Sequence, residues 1–134
     1  MQIEDIIENF ELMESWEDKY RYIIELGENL PPLEEKFKIE AWKVKGCVSQ
    51  VWLVPELIDG KISFKGDSDA MIVKGIMAIV FAIFANKSAK EITGIEVENI
   101  FAKLGLMDHL SPNRRSGLLS MVGKIKFYAE TFKG

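Results

Sequence analysis

One cysteine is the residue of this chain whose side chain is best suited to nucleophilic chemistry. Cys47 is the only cysteine among the 134 residues. Gly46 precedes it and can supply a tight or left-handed turn, and a run rich in β-branched and aromatic residues begins at Val48. A sulfur on such a turn is placed by the fold and can still be reached from outside. A free cysteine also packs readily in a core, so the residues alone leave both roles open.

A lone cysteine excludes several kinds of site. It cannot form a resolving disulfide within the chain, and it cannot hold an iron–sulfur cluster alone, because such clusters generally need four protein ligands. A structural zinc site needs several cysteine or histidine ligands, and this chain has one of each. We therefore expect no resident metal or other cofactor.

The single histidine of the chain, His109, has two possible roles. A nucleophilic pair of Cys47 and His109 is open in principle, but no oxyanion-hole motif stands at a recognisable spacing. The alternative is that His109 is a capping or surface residue at the start of the last helix. Near Cys47 it would act as a proton donor or acceptor.

Three segments resemble, in order and spacing, motifs of the SufE family of sulfur acceptors. Residues 45–53, KGCVSQVWL, are similar to the cysteine loop of that family. Residues 66–75 resemble the start of its central helix, and residues 109–118 resemble the opening of its last helix. The resemblance covers essentially the whole chain. One departure is Val48, which stands where family members commonly carry a polar glutamine.

The resemblance implies a function in sulfur transfer. Cys47 would accept persulfide sulfur from a SufS-like or CsdA-like cysteine desulfurase, stimulate that enzyme and pass the sulfur to a SufB-like iron–sulfur scaffold complex. The pyridoxal phosphate would belong to the desulfurase, so the chain would be a sulfurtransferase-like carrier and not a stand-alone enzyme. Two alternatives stay open: a CsdE-like acceptor that feeds another sulfur pathway, and a thiol-independent interaction module in which Cys47 only packs.

Several residues would support Cys47 in this interpretation. Gly46 would be the hinge of the loop, and Ser49 and Gln50 belong to the loop motif. Arg114 matches the recurrent arginine of the family's Pro-x-Arg segment. A cation in a first helical turn opposes the helix dipole, so an anionic contact would help to explain it.

Charged residues could also tune the thiol if the fold brings them close. A cation would stabilise the thiolate, and the candidates are Lys45, Arg114 and Arg115. Asp67 and Asp69 would act in the opposite direction. A buried, weakly acidic thiol that is activated only in a complex is an equally reasonable state.

The pattern of strand signals predicts an α+β fold with a small three-stranded antiparallel sheet, and the resemblance implies a SufE/IscU-like arrangement. We expect strands over residues 39–45, 48–57 and about 61–65. Asp59-Gly60 is a strong two-residue hairpin signal. Pro55 can form no ladder hydrogen bond, so it should lie at an edge or a bulge.

Helices should surround this sheet. A cap at Ser15 begins the second of two paired N-terminal helices, with Gly27 as its stop. Gly105 should end a later helix over residues 97–104, and Ser111-Pro112 should begin the last one. The apolar run of residues 70–85 is short for a membrane span and contains Lys74, so we expect a buried central helix that begins at residue 68 or 69.

Composition limits the classes of partner and compartment. The chain has the length of one domain, residues 1–134. Its formal net charge is −4 with no basic stripe, so nucleic acid is not an expected partner. The N-terminus shows no signal-peptide pattern, and a single cysteine fits a reducing compartment. We expect a cytoplasmic protein without a membrane partner.

Overall fold

The computed structural model describes residues 2–133 as six α-helices, two strands and three short 3-10 segments. The α-helices are α1 (Ile3–Leu12), α2 (Trp16–Glu28), α3 (Met71–Phe84), α4 (Ala89–Thr93), α5 (Val97–Leu104) and α6 (Pro112–Lys133). The strands are β1 (Val51–Ile58) and β2 (Lys61–Ser68), and the 3-10 segments are Glu35–Phe37, Glu40–Trp42 and Met107–His109. The fold is therefore α+β, as predicted.

The sheet has two strands and not the predicted three. β1 and β2 pair antiparallel from Val51–Ser68 to Ile58–Lys61. The predicted strand over residues 39–45 is wrong: Glu40–Trp42 is a 3-10 turn, and only one bridge follows, between Lys43 and Trp52. That segment has one buried apolar residue, Val44, which is too few to hold a strand by side-chain packing.

The hairpin between the two strands forms where the sequence predicts it. Asp59 and Gly60 both have positive φ, 52° and 79°, as a tight turn with the twist of the strands requires. The register pairs Pro55 with Phe64. Because a two-residue hairpin closes on a hydrogen-bonded pair, Pro55 falls in a non-bonded pair, with its nitrogen at the open edge of β1.

One face of the hairpin is covered by helices. β1 begins at Val51, three residues later than predicted, because the preceding residues form the cysteine loop. The register places four buried residues on the same face, and α3 and α6 pack there: Val51, Leu53, Ile62 and Gly66. The sheet is thus a platform for two helices that also line the candidate site.

The central helix α3 is apolar on nearly all sides, and it contacts α1, α2, β2 and α6. It begins at Met71, two to three residues later than predicted. Asp67 and Asp69 therefore precede its first turn: the Asp67 carboxylate pairs with Lys38 and with Lys74 of the helix, and the Asp69 carboxylate accepts from the Gln50 N–H. Within residues 2–133, no helix has the length and apolar character needed to cross a bilayer.

The N-terminal helices pack on α3 through two glycines. Ser15 caps α2 as predicted, with its Oγ accepting from the Asp18 N–H at 3.2 Å. The predicted stop at Gly27 is wrong, because α2 continues to Glu28. A Cβ on Gly27 would lie 2.6 Å from the Gly75 nitrogen, and a Cβ on Gly75 would lie 2.1 Å from the Ile23 oxygen. Gly27 is therefore a packing residue.

The C-terminal helices match their predicted boundaries closely. α5 spans Val97–Leu104 and ends at Gly105, whose φ is 67°. α6 begins at Pro112, and the Ser111 Oγ accepts from the Arg114 N–H at 3.4 Å. Four apolar residues at a spacing of three or four along α6 are buried, namely Leu118, Val122, Ile125 and Ala129. Phe132, in the last turn, is 39% exposed.

Candidate functional site

Cys47 lies on a turn that is pressed against α6. Gly46 has a φ of +87°, so the turn needs the left-handed backbone that glycine adopts without strain. A Cβ at this position would also lie 2.6 Å from the Ser120 Oγ. Cys47 itself is half-buried, and its Sγ is 3.8 Å from the Gly117 oxygen of α6. Gly46 and the surface of α6 together set the position of the sulfur.

Beside the sulfur is a pocket of about 350 Å³ between the cysteine loop, α3 and α6. Its buried lining residues are apolar: Val73, Ile76, Leu118 and Met121. Its exposed lining residues are Val48, Ser111, Asn113 and Arg114. The sulfur therefore borders an apolar cavity whose outer rim carries polar groups and one cation.

The resting cysteine is a poorly ionised thiol. Burial raises the pKa of the Cys47 thiol. The Cys47 Sγ donates to the Gly117 carbonyl, which accepts a hydrogen bond from a thiol and repels a thiolate. The Lys45 Nζ is engaged elsewhere, 2.7 Å from the Glu40 Oε2. Burial and the Gly117 carbonyl therefore both favour the neutral thiol over the thiolate in the resting structure.

The far end of the loop is held by Asp69. The Gln50 N–H donates to the Asp69 Oδ1 at 3.0 Å, and the Asp69 N–H donates to the Gln50 oxygen at 3.3 Å. Ser49 lines the Cys47 pocket, whereas Gln50 does not. The structure thus brings Gly46, Ser49 and Arg114 together with Cys47, and it leaves Gln50 as an anchor through its backbone.

His109 is not brought together with Cys47. Its ring stacks on Trp16 with 3.8 Å between the centroids, and its Nδ1 is 3.1 Å from the Gly105 oxygen. The Tyr20 hydroxyl donates to the His109 carbonyl. None of these residues lines the Cys47 pocket. The side chain is exposed and ties the start of α6 to α2, so a proton-transfer role next to the thiol has no support in this geometry.

The residues of α6 that touch the loop are not among the predicted site residues. Gly117 and Ser120 meet the turn at Gly46 and Cys47. The only local signal was a glycine inside a predicted helix, which often indicates a close approach. Among residues 2–133, no group of three or more His, Cys, Asp and Glu side chains is placed to hold a metal ion.

Comparison with known proteins gives the family of the chain. The family model described as "SufE: Fe-S metabolism associated domain" matches residues 4–129. An uncharacterized SufE-like protein of Rhizobium meliloti (strain 1021) is 49% identical over 132 residues, which cover 96% of this chain and 94% of that protein. An uncharacterized SufE-like protein of Rhizobium etli is 46% identical over 128 residues, covering 92% and 86% respectively.

A solved structure shares the fold. The solution structure of a hypothetical protein from Thermus thermophilus superposes with a TM-score of 0.78 at 16% identity, over 97% of this chain and 94% of that chain. At that identity the likeness concerns the fold alone. The family match and the two relatives, taken with the cysteine loop and its pocket, show that this chain belongs to the SufE family, whose domain is associated with Fe–S metabolism.

Proposed function

We propose that this chain is a sulfur acceptor that receives persulfide sulfur from a cysteine desulfurase on Cys47. The observation that carries the proposal is the place of the sulfur: on a turn with a left-handed glycine, half-buried, and at the edge of an apolar pocket. Family membership supports the connection to Fe–S metabolism. The whole chain would act as one domain in the cytoplasm, without a cofactor of its own.

The transfer step needs only one thiol from this chain. The Cys47 thiolate attacks the outer sulfur of the donor persulfide, in the same kind of exchange as thiol–disulfide chemistry. A new S–S bond forms at Cys47, the S–S bond of the donor breaks, and the donor cysteine leaves as a thiolate. The sulfane sulfur moves with its oxidation state unchanged, so the step requires no external oxidant or reductant.

The second half of the cycle returns the thiol. A thiol of an iron–sulfur scaffold complex would attack the outer sulfur of the Cys47 persulfide and release Cys47 as a thiolate. Removal of the persulfide from the desulfurase frees its nucleophile, which accounts for stimulation of that enzyme. Between the two steps, the pocket of about 350 Å³ offers the outer sulfur an apolar surrounding away from solvent oxidants.

The decisive experiment compares the chain with its Cys47→Ser variant after incubation with a SufS-like or CsdA-like desulfurase and cysteine. We expect intact-protein mass spectrometry to show a gain of one sulfur atom, which dithiothreitol removes, on the natural chain only. We expect desulfurase turnover to rise with the natural chain and not with the variant. Circular dichroism should show the same fold for both proteins.

A cysteine that only packs in the fold would also be half-buried and have a raised pKa, as Cys47 does. This observation favours an alternative function. In that case the chain is a thiol-independent interaction module, and Cys47→Ser stimulates its partner as well as the natural chain does. A CsdE-like acceptor would take up sulfur normally but pass it to a different pathway. Transfer of labelled sulfur to a SufB-like scaffold separates this alternative from the main proposal.

A further inference from the structure

The outer edge of β2 carries backbone groups that the fold leaves unpaired. The hairpin closes on a hydrogen-bonded pair, so every second residue of β2, beginning with Ile62, directs its N–H and C=O away from β1. The Ile62 N–H shows this direction, because it donates to the Lys87 oxygen at 2.8 Å. Further along the edge, the N–H and C=O groups of Phe64 and Gly66 have no hydrogen-bond partner among residues 2–133. The edge therefore has free donors and acceptors for one more strand.

Gly66 distinguishes this edge from an ordinary exposed one, because the residue is buried. On its inner side the packing is tight: a Cβ would lie 2.6 Å from the Trp52 oxygen and 2.7 Å from the Met77 Sδ. Its backbone N–H and C=O point to the other side, away from β1. Buried backbone groups without a partner are rare and costly. Those of Gly66 are best explained by a group that binds along this edge.

A cavity of about 220 Å³ lies along the unpaired edge. Its walls are Phe64 and Gly66 of β2, Phe81 of α3 and residues 30–32, which follow α2, and we call it the edge groove. Leu30 and Phe81 also line a second cavity of about 300 Å³ between α1, α2 and α3, so the two cavities adjoin. The edge groove thus places an apolar recess directly beside free backbone hydrogen-bonding groups.

The segment opposite the edge limits what can occupy the groove. Pro31 and Pro32 have no N–H, so this segment cannot donate to the carbonyls of Phe64 and Gly66 across the groove. It also keeps the edge recessed. A second copy of the chain that offered its own β2 would bring its residues 30–32 against these prolines, which would hold the two edges apart. An extended peptide is one strand wide and can enter the groove.

Charge around the groove indicates the sign of the occupant. Two charged residues line the groove itself, Glu34 and Lys65, and each is in an ion pair at 3.5 Å, with Lys36 and Glu56 respectively. The adjoining cavity is lined by residues of α1 and α2. α1 carries four acidic residues and no basic one, and α2 carries four acidic and two basic ones. The field at this end of the groove is therefore negative and attracts basic residues.

We propose that the edge groove binds an extended peptide segment of a partner protein, apolar at alternate residues and flanked by Lys or Arg. The peptide pairs with Phe64 and Gly66 as a third strand, a recurring mode of peptide recognition, and places an apolar side chain beside Leu30 and Phe81. No residue of the groove lines the Cys47 pocket, so the peptide itself leaves that pocket open. The inference goes beyond the proposed function and does not depend on it.

The first experiment selects peptides from a phage-displayed random library on the full chain. We expect the enriched peptides to alternate apolar residues and to carry Lys or Arg. Synthetic copies methylated on alternate backbone nitrogens then test strand addition, because only every second residue of an added strand faces β2. Methylation in one phase should weaken the Kd by about tenfold, and methylation in the other phase by less than about twofold.

Two charge reversals test the place of binding on the chain. Glu34→Lys should weaken the Kd of the selected peptides by about threefold, because it sets a cation against a basic peptide at the groove. Glu98→Lys is the matched control, since Glu98 is also exposed and does not line the groove. Both variants change the net charge equally, so equal effects would contradict binding at the groove. Thermal unfolding checks that both variants fold.

Amide hydrogen exchange, measured by NMR, locates the peptide on β2. Binding should slow exchange at the amides of Phe64 and Gly66. It should leave the amide of Lys65 unchanged, because that residue already pairs with Val54 across the hairpin.

Three results would overturn the inference. One is that the library yields no binding peptide, in which case the Gly66 backbone is satisfied by water alone. Another is that the selected peptides bind equally well in both methylation phases or protect other amides. The last is a dimer in sedimentation equilibrium whose formation protects the Phe64 and Gly66 amides, which would assign the edge to a second copy of the chain.

Discussion

At the scale of single residues, the chemistry depends on how Cys47 is held. Its sulfur faces the Gly117 carbonyl and an apolar cavity, and burial raises the pKa of the thiol. Both effects favour the neutral thiol over the thiolate. A neutral sulfur reacts slowly with solvent electrophiles, so the resting loop protects the site that the proposed function needs.

This protection predicts the pH dependence of alkylation. Because the folded chain disfavours the thiolate, the reaction of Cys47 with iodoacetamide should reach its half-maximal rate at a higher pH than in the same chain unfolded in urea. Mass spectrometry of samples quenched at successive times, over a range of pH, measures the alkylation rate of the folded and of the unfolded chain. A folded midpoint below the unfolded one would mean that a cation activates the thiol, contrary to the geometry.

The raised pKa of the Cys47 thiol also makes the stability of the fold depend on pH. A thiol whose pKa is raised by folding binds its proton more tightly in the folded chain. Stability is therefore lost as the pH rises from the unfolded pKa towards the folded one. Cys47→Ser removes this dependence, so the stability of the variant, measured by urea denaturation, should fall less in that alkaline range.

At the scale of elements, the position of α3 depends on its close crossing with α2. Gly75 lies where any Cβ would collide with the Ile23 backbone, and Gly27 faces it from α2. The two glycines let the helices approach more closely than larger residues allow. Because α3 also contributes Val73 and Ile76 to the Cys47 pocket, the crossing helps to set the depth of the site.

A pair of glycine substitutions tests this crossing. Gly75→Ala should lower the free energy of unfolding by about 3 kcal/mol or more, because the clash is with backbone and cannot be relieved by a side-chain rotation. Gly123 of α6 is the matched control, since a Cβ there meets no atom within 4 Å. Gly123→Ala should instead stabilise the chain by about 0.5–1 kcal/mol through helix propensity. Urea denaturation measures both, and equal effects would contradict the close crossing.

At the scale of the whole molecule, one carboxylate ties distant parts of the chain together. The Asp67 side chain is 16% exposed and lies 3.1 Å from the Lys38 Nζ and 3.3 Å from the Lys74 Nζ. It also accepts from the Ser68 N–H at 2.8 Å. Partial burial opposes ionisation, but these hydrogen bonds and charges outweigh it and lower the pKa of Asp67. The segment that contains Lys38, β2 and α3 meet at this residue.

The lowered pKa of Asp67 predicts that its carboxylate stabilises the fold at neutral pH but not in acid. The ionised carboxylate stabilises the fold above the unfolded pKa, and the contribution is lost as the pH falls through the folded pKa. Asp67→Asn should therefore cost about 1–3 kcal/mol at neutral pH, and its difference from the natural chain should shrink below about pH 4. Glu56→Gln breaks the exposed Lys65 pair and should cost less than about 0.5 kcal/mol.

Denaturation curves over that pH range measure how much stability Asp67→Asn and Glu56→Gln each lose relative to the natural chain. A deficit of Asp67→Asn that stays constant down to low pH would show that the residue acts through packing and not through charge. A Glu56→Gln deficit as large as that of Asp67→Asn would contradict the distinction between the partly buried and the exposed ion pair.

Features that depend on neighbours along the chain could be predicted from the residues alone. The cap at Ser15, the Asp59-Gly60 hairpin and the α5 stop at Gly105 all lie where the residues predict them. The single cysteine after a glycine also marked the candidate site. These signals work because a cap or a tight turn satisfies backbone groups only a few residues away.

Features that depend on contacts between distant segments could not be predicted in this way. Residues 39–45 have strand-like composition but too little buried surface to join the sheet, and Gly27 ends no helix because it packs on Gly75. His109 stacks on Trp16 and not beside Cys47. The contact of Gly117 with Cys47, 70 residues apart, follows from the packing of α6, and a glycine inside a predicted helix was its only local signal. Local propensity is a weak guide wherever long-range packing contributes more free energy.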